Sequence, residues 1–405
     1  MIGKLGQHKD ANLYEGLLAS FLNFIGNPGI KLVLRNGKEI VPKSGVPKAT
    51  LRIKSPGAVG KLVVNPFLQI GDSYSNGELE IDGELLPLLE ELFGWFVETD
   101  GDSSMVNWWS KFINKPRVNS LTGSKNNISS HYDIGNAFYK LWLDERMVYS
   151  CAYFPEDSMT LEQAQFAKLD LICCKLRLKP GQTVLEIGSG WGAMALHMAK
   201  HYGAKVRAYN ISNEQLEWSR DLAKREGLSS LIEFVEDDYR NATGTFDAFV
   251  SVGMFEHVGR DNFGDFGKVL KRTLSSGGLG LLHSIGKTSP GPLGVWFERR
   301  IFPGAHIPAL SEMCQLFEPN NLAINDVENL RLHYARTLTH WLERYEANID
   351  TVGAMYDENF VRMWRLYLTA SIASFTSGFT QLYQVLFSHT GNRNAPMKRD
   401  YLLKR

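Results

Sequence analysis

Thr183-Val184-Leu185-Glu186-Ile187-Gly188-Ser189-Gly190-Trp191-Gly192-Ala193 is the stretch that decides the fold of this 405-residue chain. A short apolar run of strand length enters a turn with three glycines, and the turn opens directly into a helical pattern over 193–201. Glycines at such a turn let backbone amides approach a ligand closely. The alternation then continues, with a helix expected over 169–176, strands over 205–211, 231–235, 248–252 and 278–284, and helices over 213–226 and 263–274. Strands separated by helical segments require parallel crossovers, so the expected class is α/β: a doubly wound, mostly parallel, Rossmann-like sheet. No repeat of solenoid period is visible.

A chain of this length exceeds the usual range of a single core, and two domains are expected. Before the alternating region, short runs over 30–34, 49–53, 61–64 and 78–81 read as strands of a compact module, followed by a helix over 85–97. Met105, Trp108, Trp109, Phe112 and Ile113 lie at helical spacing, as an aromatic face for a membrane interface or for packing. The polar stretch 119–130 reads as a linker, which gives a smaller N-terminal α+β domain over 1–118 and a catalytic domain over 119–405.

Basic and acidic residues balance at 44 each, so no global field attracts nucleic acid, and no nucleic-acid partner is expected. The distribution is uneven: residues 1–62 carry ten basic side chains against three acidic ones, and residues 63–102 carry none against ten. The first segment suits an anionic phospholipid surface, and the second would avoid it. Four cysteines without paired ligand spacing indicate reduced cytosol and no metal site. Residues 1–9 lack the apolar core of a signal peptide. The uncharged run 366–388 is long enough to cross a bilayer, but polar residues from Thr369 to Gln384 interrupt it, and it reads as a buried helix with a polar stripe.

The glycine turn differs from the dinucleotide fingerprint, because its GxGxG lacks the third glycine at the required spacing. A polar loop at the carboxyl ends of strands suits adenosine and a methionine moiety better than a pyrophosphate. Asn210 and Gln215, at the next strand end, can bond ribose hydroxyls. Asp237 or Asp238 can accept from the adenine amino group, or the two can form an acid pair at a helix start.

Several further motifs agree in order and spacing: His131-Tyr132-Asp133-Ile134-Gly135-Asn136, Tyr149-Ser150-Cys151-Ala152-Tyr153, Ser251 to Gly259, Leu282-His283-Ser284-Ile285-Gly286, Arg299 to Pro303, and the segment around Tyr334. With the glycine loop they resemble the cyclopropane fatty acid synthase family over about residues 125–390, and residues 1–115 resemble the smaller lipid-associated domain of its full-length bacterial members. The resemblance implies transfer of the methyl carbon of S-adenosylmethionine to a cis double bond of an unsaturated phospholipid acyl chain, with closure to a cyclopropane ring. It implies bound bicarbonate as the base, held by Glu256 and His283 through side chains, by Cys151 and Ile285 through backbone groups, and by the Tyr334 hydroxyl. It also places Tyr132, Tyr149 and Ser150 at the methionine end of the cofactor, Gly188 and Gly190 beneath it, Gln215 at ribose and Asp238 at adenine. Taken singly, Cys151 also suits a small buried hydrophobe, His283 a satisfied core histidine, and Glu256 a structural acid near a helix start.

Phe297, Ile301, Phe302, Phe360, Trp364, Leu368, Phe375, Phe379, Tyr383 and Phe387 are expected to enclose an acyl tunnel or to build helix cores. A homodimer is expected, located in the cytoplasm and peripherally associated with the inner face of the membrane. Two other readings stay open: a relative that leaves a methyl or methylene branch, and a non-catalytic lipid-binding protein that keeps the cofactor fold.

Overall fold

The computed structural model describes residues 29–41, 49–98 and 134–399 and, singly, residues 16, 18, 19, 22 and 47. Two compact units result, one falling within 1–115, 294–301 and 341–379, the other within 116–293, 302–340 and 380–405. The aromatic pattern at 105–113, the linker at 119–130 and Tyr132 lie outside the described residues.

The first unit carries a four-stranded sheet in the order β2-β1-β3-β4, formed by β1 Ile30–Val33, β2 Glu39–Ile40, β3 Ala49–Ile53 and β4 Leu79–Asp82. Helices α1 Pro56–Val64, α2 Pro66–Ser75 and α3 Leu85–Glu98 accompany it. The expected strand at 61–64 is the last turn of α1. Pro56 sits in the first turn, where its missing N–H costs nothing, and Asn65 ends α1 and caps α2 by accepting from Leu68 N at 3.3 Å. The unit takes two segments from beyond residue 118 because the apolar faces of α2 and α3 need cover. Helix Glu358–Thr376 supplies much of it: Arg362 Nε donates to the Tyr74 carbonyl at 2.7 Å, Thr376 Oγ1 to Glu90 at 2.8 Å, and the Phe93 and Phe379 rings lie 5.3 Å apart. Phe360 and Trp364 stack 5.6 Å apart on that helix.

The second unit is the expected Rossmann-like layer structure. Its strands are β5 Thr183–Ile187, β6 Lys205–Asn210, β7 Ile232–Glu236, β8 Phe246–Val252, β9 Leu274–Gly286, β10 Leu322–Asn329 and β11 Gln381–His389, in the order β10-β11-β9-β8-β5-β6-β7. β5 to β9 pair in parallel, and β11 and β10 add an antiparallel edge. The order reverses between β5 and β8, the topological switch point at which ligands bind in such sheets. Helices α4 Leu161–Leu176, α5 Ala193–Tyr202, α6 Asn213–Arg225 and α7 Phe263–Thr273 cover the faces.

Adjacent strand residues serve opposite faces, as the pleat requires. Val184, Ala208, Val250, Leu281 and Leu386 pack with Leu169, Ile172 and Leu196, whereas Leu185, Phe249, Leu282, Val385 and Phe387 pack with Phe266, Val269 and Phe317. Each fully buried Leu, Val or Phe contributes about 1.5–3 kcal/mol. Phe387, expected at a tunnel or core, lies 4.9 Å from the Phe317 ring and fills the space over Gly280.

The run 366–388 is not one helix. The helix stops at Thr376, Gly378 takes a left-handed φ of 86°, and β11 begins at Gln381. Glycine at that φ is a chain reversal, and Leu382 to Phe387 then alternate between the two sheet faces. No helix among the described residues is long and apolar enough to cross a membrane.

Candidate active site

At the end of β5 the chain turns through Gly188, Gly190 and Gly192, with φ of 84°, 53° and 83°. A Cβ on Gly188 would lie 2.5 Å from the Met254 Cβ, and one on Gly192 would lie 2.8 Å from Ser219 Oγ. Nothing lies within 4 Å of the Cβ position of Gly190. Two glycines therefore let neighbouring elements approach, and the third faces open space. A cleft over the strand ends is lined by Ile187, Gly188, Tyr209, Ile211, Asp238, Tyr239, Met254, His257 and Val258.

Asn210 sits beneath this loop with its amide fully engaged. Its Nδ2 donates to the Gly190 carbonyl at 3.1 Å and to Gln215 Oε1 at 2.9 Å, and its Oδ1 accepts from the amides of Ile211 and Ser212. The structure thus makes Asn210 a brace between loop and α6, where the sequence offered it as a ribose contact. Gln215 spends its oxygen on Asn210 and keeps an amide nitrogen as its donor. Asp238 accepts from Arg240 Nε at 2.8 Å and Nη2 at 2.9 Å and from the Arg240 amide. Burial raises its pKa, but these bonds win and hold the carboxyl below its ordinary value.

The two motifs before α4 close on the same loop. Trp191 Nε1 donates to Asn136 Oδ1 at 2.6 Å, and the Asn136 amide donates to Glu214 on α6 at 3.1 Å. Tyr139 lies 5.0 Å from the Trp191 ring and 5.5 Å from the Tyr149 ring. Ser150 is fixed from α4, its hydroxyl accepting from Lys168 Nζ at 3.1 Å and its carbonyl from Gln165 Nε2 at 2.8 Å.

Across the switch point the site changes character. Glu256 is buried, its Oε1 accepts from the Ile285 amide at 2.6 Å, and its Oε2 has no partner among the described residues. Burial pushes its carboxyl up to about 7, against the opposing backbone amides of Glu256 and Ile285. The Ile285 amide, assigned by resemblance to the ion, is thus engaged in holding the carboxylate. His283 lies two residues earlier on β9, and its carbonyl accepts from Gly253 N at 2.9 Å, which joins β9 to the segment carrying Glu256. Its Nδ1 faces Gln384 Nε2 at 3.1 Å, and its Nε2 has no partner among the described residues. Burial first, then the charges of Lys168 and Lys175, push its pKa well below the ordinary value, so the ring is neutral.

Cys151 and Tyr334 meet at one helix start. The Cys151 thiol faces the Ala152 carbonyl at 3.0 Å and the Leu330 carbonyl at 3.9 Å, and Leu330 O also accepts the Tyr334 amide. Burial raises the Cys151 pKa, so the residue is a thiol and not a nucleophilic thiolate. The sequence reading did not single out Lys168, which is buried on α4, with its pKa lowered to about 8 by burial, and is an electrostatic neighbour of Cys151, Glu186, Asp144 and His283. Glu186 is also buried, its pKa raised to about 8 by burial, with Oε2 unpartnered among the described residues. A lysine inside an otherwise apolar helical repeat, at Lys168 and again at Lys175, was the available signal.

Two unpartnered buried atoms near one strand, a carboxylate oxygen and an imidazole nitrogen, suit a small ion that both donates and accepts. Bicarbonate meets that description, with one hydroxyl and two bare oxygens.

Residues 119–385 match the mycolic acid cyclopropane synthetase family. A probable fatty acid methyltransferase of Pseudomonas putida is 38% identical over 351 residues, 84% of this chain and 87% of that protein. The cyclopropane-fatty-acyl-phospholipid synthase of Escherichia coli K12 is 34% identical over 365 residues, 87% of this chain and 93% of that protein. Among solved structures, mycolic acid cyclopropane synthase CmaA1 in complex with SAH and CTAB superposes with a TM-score of 0.61 at 30% identity, covering 65% of this chain and 97% of that one.

Proposed function

This chain belongs to the mycolic acid cyclopropane synthetase family and is an S-adenosylmethionine-dependent methyltransferase, and we propose that it builds a cyclopropane ring into an unsaturated phospholipid. S-adenosylmethionine supplies the methyl carbon for one carbon of a cis double bond, and bicarbonate supplies the base for the proton that this methyl must lose before the ring closes. The observation that carries the reading is that Glu256 Oε2 and His283 Nε2 are both buried without a partner among the described residues, the carboxyl held by β9 and the ring carried on it.

The residues divide the work. Gly188 and Gly190 open the loop to the cofactor, Gln215 serves the ribose and Asp238 the adenine, while Tyr132, Tyr149 and Ser150 serve the methionine end. Glu256 accepts from a hydroxyl of the ion, His283 donates to one of its oxygens, and Tyr334 adds a hydroxyl. Cys151 serves the ion through its backbone, its side chain held as a thiol by burial. An isolated alkene is a weak nucleophile, so methyl transfer creates carbocation character, which a neutral imidazole does not repel. A small exchangeable base avoids a covalent dead end with a side chain.

Residues 1–118 are assigned to lipid or subunit contacts in a homodimer at the inner membrane face. The segregation of ten basic side chains into 1–62 supports this. The test is incubation with unsaturated phospholipid vesicles and methyl-labelled cofactor. Mass spectrometry should find acyl chains that have gained one CH₂ and lost the double bond as a ring. A methyl or methylene branch would refute ring closure and keep the methyl transfer.

A further inference from the structure

His283, Gln384 and Glu328 are register neighbours on β9, β11 and β10. Lys175, buried on α4, donates to Gln384 Oε1 at 2.6 Å and pairs with Glu328. None of the three supporting residues belongs to the motifs that carry the family resemblance. We propose that Glu328, Lys175 and Gln384 form a relay that fixes the proton of His283 on Nε2, making this ring a dedicated hydrogen-bond donor to an oxyanion.

The argument rests on donor and acceptor inventory. Burial lowers the Lys175 pKa and the Glu328 carboxylate opposes it; paired with that carboxylate, Lys175 is an ammonium with three donors and no lone pair. Gln384 must therefore present its oxygen to Lys175 and its NH₂ to His283. An NH₂ facing Nδ1 requires Nδ1 to accept, and a neutral imidazole that accepts at Nδ1 carries its proton at Nε2. Reversing the amide would set two donors against each other at 2.6 Å. The ring is neutral, so the tautomer decides whether Nε2 donates to a ligand or competes with it for a proton. Lys175, Gln384 and Glu328 are positioning residues, acting through His283. Burying a lysine in a core is costly without a partner, and this pairing gives its position a purpose beyond packing.

The inference deepens the proposed function and rests on it for the identity of the oxyanion, but not for the tautomer. The test is nitrogen NMR of the intact protein labelled with ¹⁵N-histidine, without lipid or bicarbonate, with the His283 signals identified by their loss in His283→Gln. In the wild type Nδ1 should be bare and Nε2 protonated. Gln384→Glu, which still accepts from Lys175 and adds an acceptor for the ring, should move a proton onto Nδ1. Lys175→Met should release the amide and mix the tautomers, and the bicarbonate concentration for half-maximal turnover should rise roughly tenfold, the loss expected for a hydrogen bond to a charged group. Cofactor affinity should stay within about twofold of wild type, because Lys175 bonds Gln384 and Glu328, neither of which is assigned to the cofactor. A wild-type proton on Nδ1, or a Gln384→Glu ring still bare at Nδ1, overturns the relay. Correct tautomers with turnover indifferent to bicarbonate would support the relay and sink the bicarbonate assignment instead.

Discussion

The two halves of the seven-stranded sheet solve different problems. On the parallel half, the ends of β6 and β7 present backbone turns and polar side chains that are satisfied: Asn210 uses its whole amide and Asp238 is clasped by Arg240. On the other half, where β9 meets the antiparallel strands, the polar groups are buried and deliberately incomplete, with Glu256 Oε2 and His283 Nε2 unpartnered among the described residues. A binding surface can be stable before its ligand arrives. A site for chemistry in a low dielectric keeps unsatisfied groups, and the fold carries their cost.

That cost is measurable, and it gives the largest expected effect. Glu256 has a folded pKa of about 7 against an unfolded value of 4.5. Below pH 4.5 both states hold the proton and the residue costs nothing. Between pH 4.5 and 7 the unfolded chain releases it while the folded protein retains it, so stability falls as pH rises. Above 7 the full penalty applies, on the order of 3 kcal/mol. Denaturant melts of the wild type and Glu256→Gln across pH 4.5 to 8 should show the variant gaining on the wild type by about this amount. Parallel pH profiles would break the contrast, because Glu256 would then be an ordinary structural acid.

Gly188→Ala probes the other half. The new methyl meets Met254 at 2.5 Å on a backbone with φ of 84°, so the loop must shift. Such strain costs about 2 kcal/mol, which should appear as roughly a thirtyfold loss of cofactor affinity in a calorimetric titration. Asp238→Asn is a smaller change, because Arg240 can keep part of its contact; a loss of about 1 kcal/mol, or fivefold in cofactor affinity, is expected.

The same division explains what could be read in advance. The parallel half was legible because parallel strands buried on both faces are continuous apolar runs, and the expected strand at 183–187 matches β5 to the residue. The antiparallel edge was not. Four residues with no charge separate β11 from the preceding helix, so 366–388 reads as one apolar run, and only Gly378 marks the reversal. Gln384 consequently reads as part of a helical stripe, whereas on β11 it is the partner of His283. In the first unit, Val63 and Val64 suggested a strand, whereas Pro56 and Asn65 punctuate a helix. Glu256, His283 and Tyr334 were legible only as parts of motifs, since nothing in their own spacing distinguishes a ligand from a structural residue. Asn210 could not be sorted into brace or contact without the bonds that fill its amide.

The separation of binding from chemistry is tested most directly on one folded preparation of Glu256→Gln, by titrating S-adenosylmethionine and measuring turnover of unsaturated phospholipid vesicles. The variant keeps the size of the side chain but presents an amide NH₂ where the carboxylate would accept. Displacing a reacting group by about 1 Å costs on the order of a hundredfold in rate. The expected result is wild-type cofactor affinity with turnover reduced by about that factor and partly restored by added bicarbonate. Near-normal turnover, or loss of cofactor binding in step with activity, would contradict it.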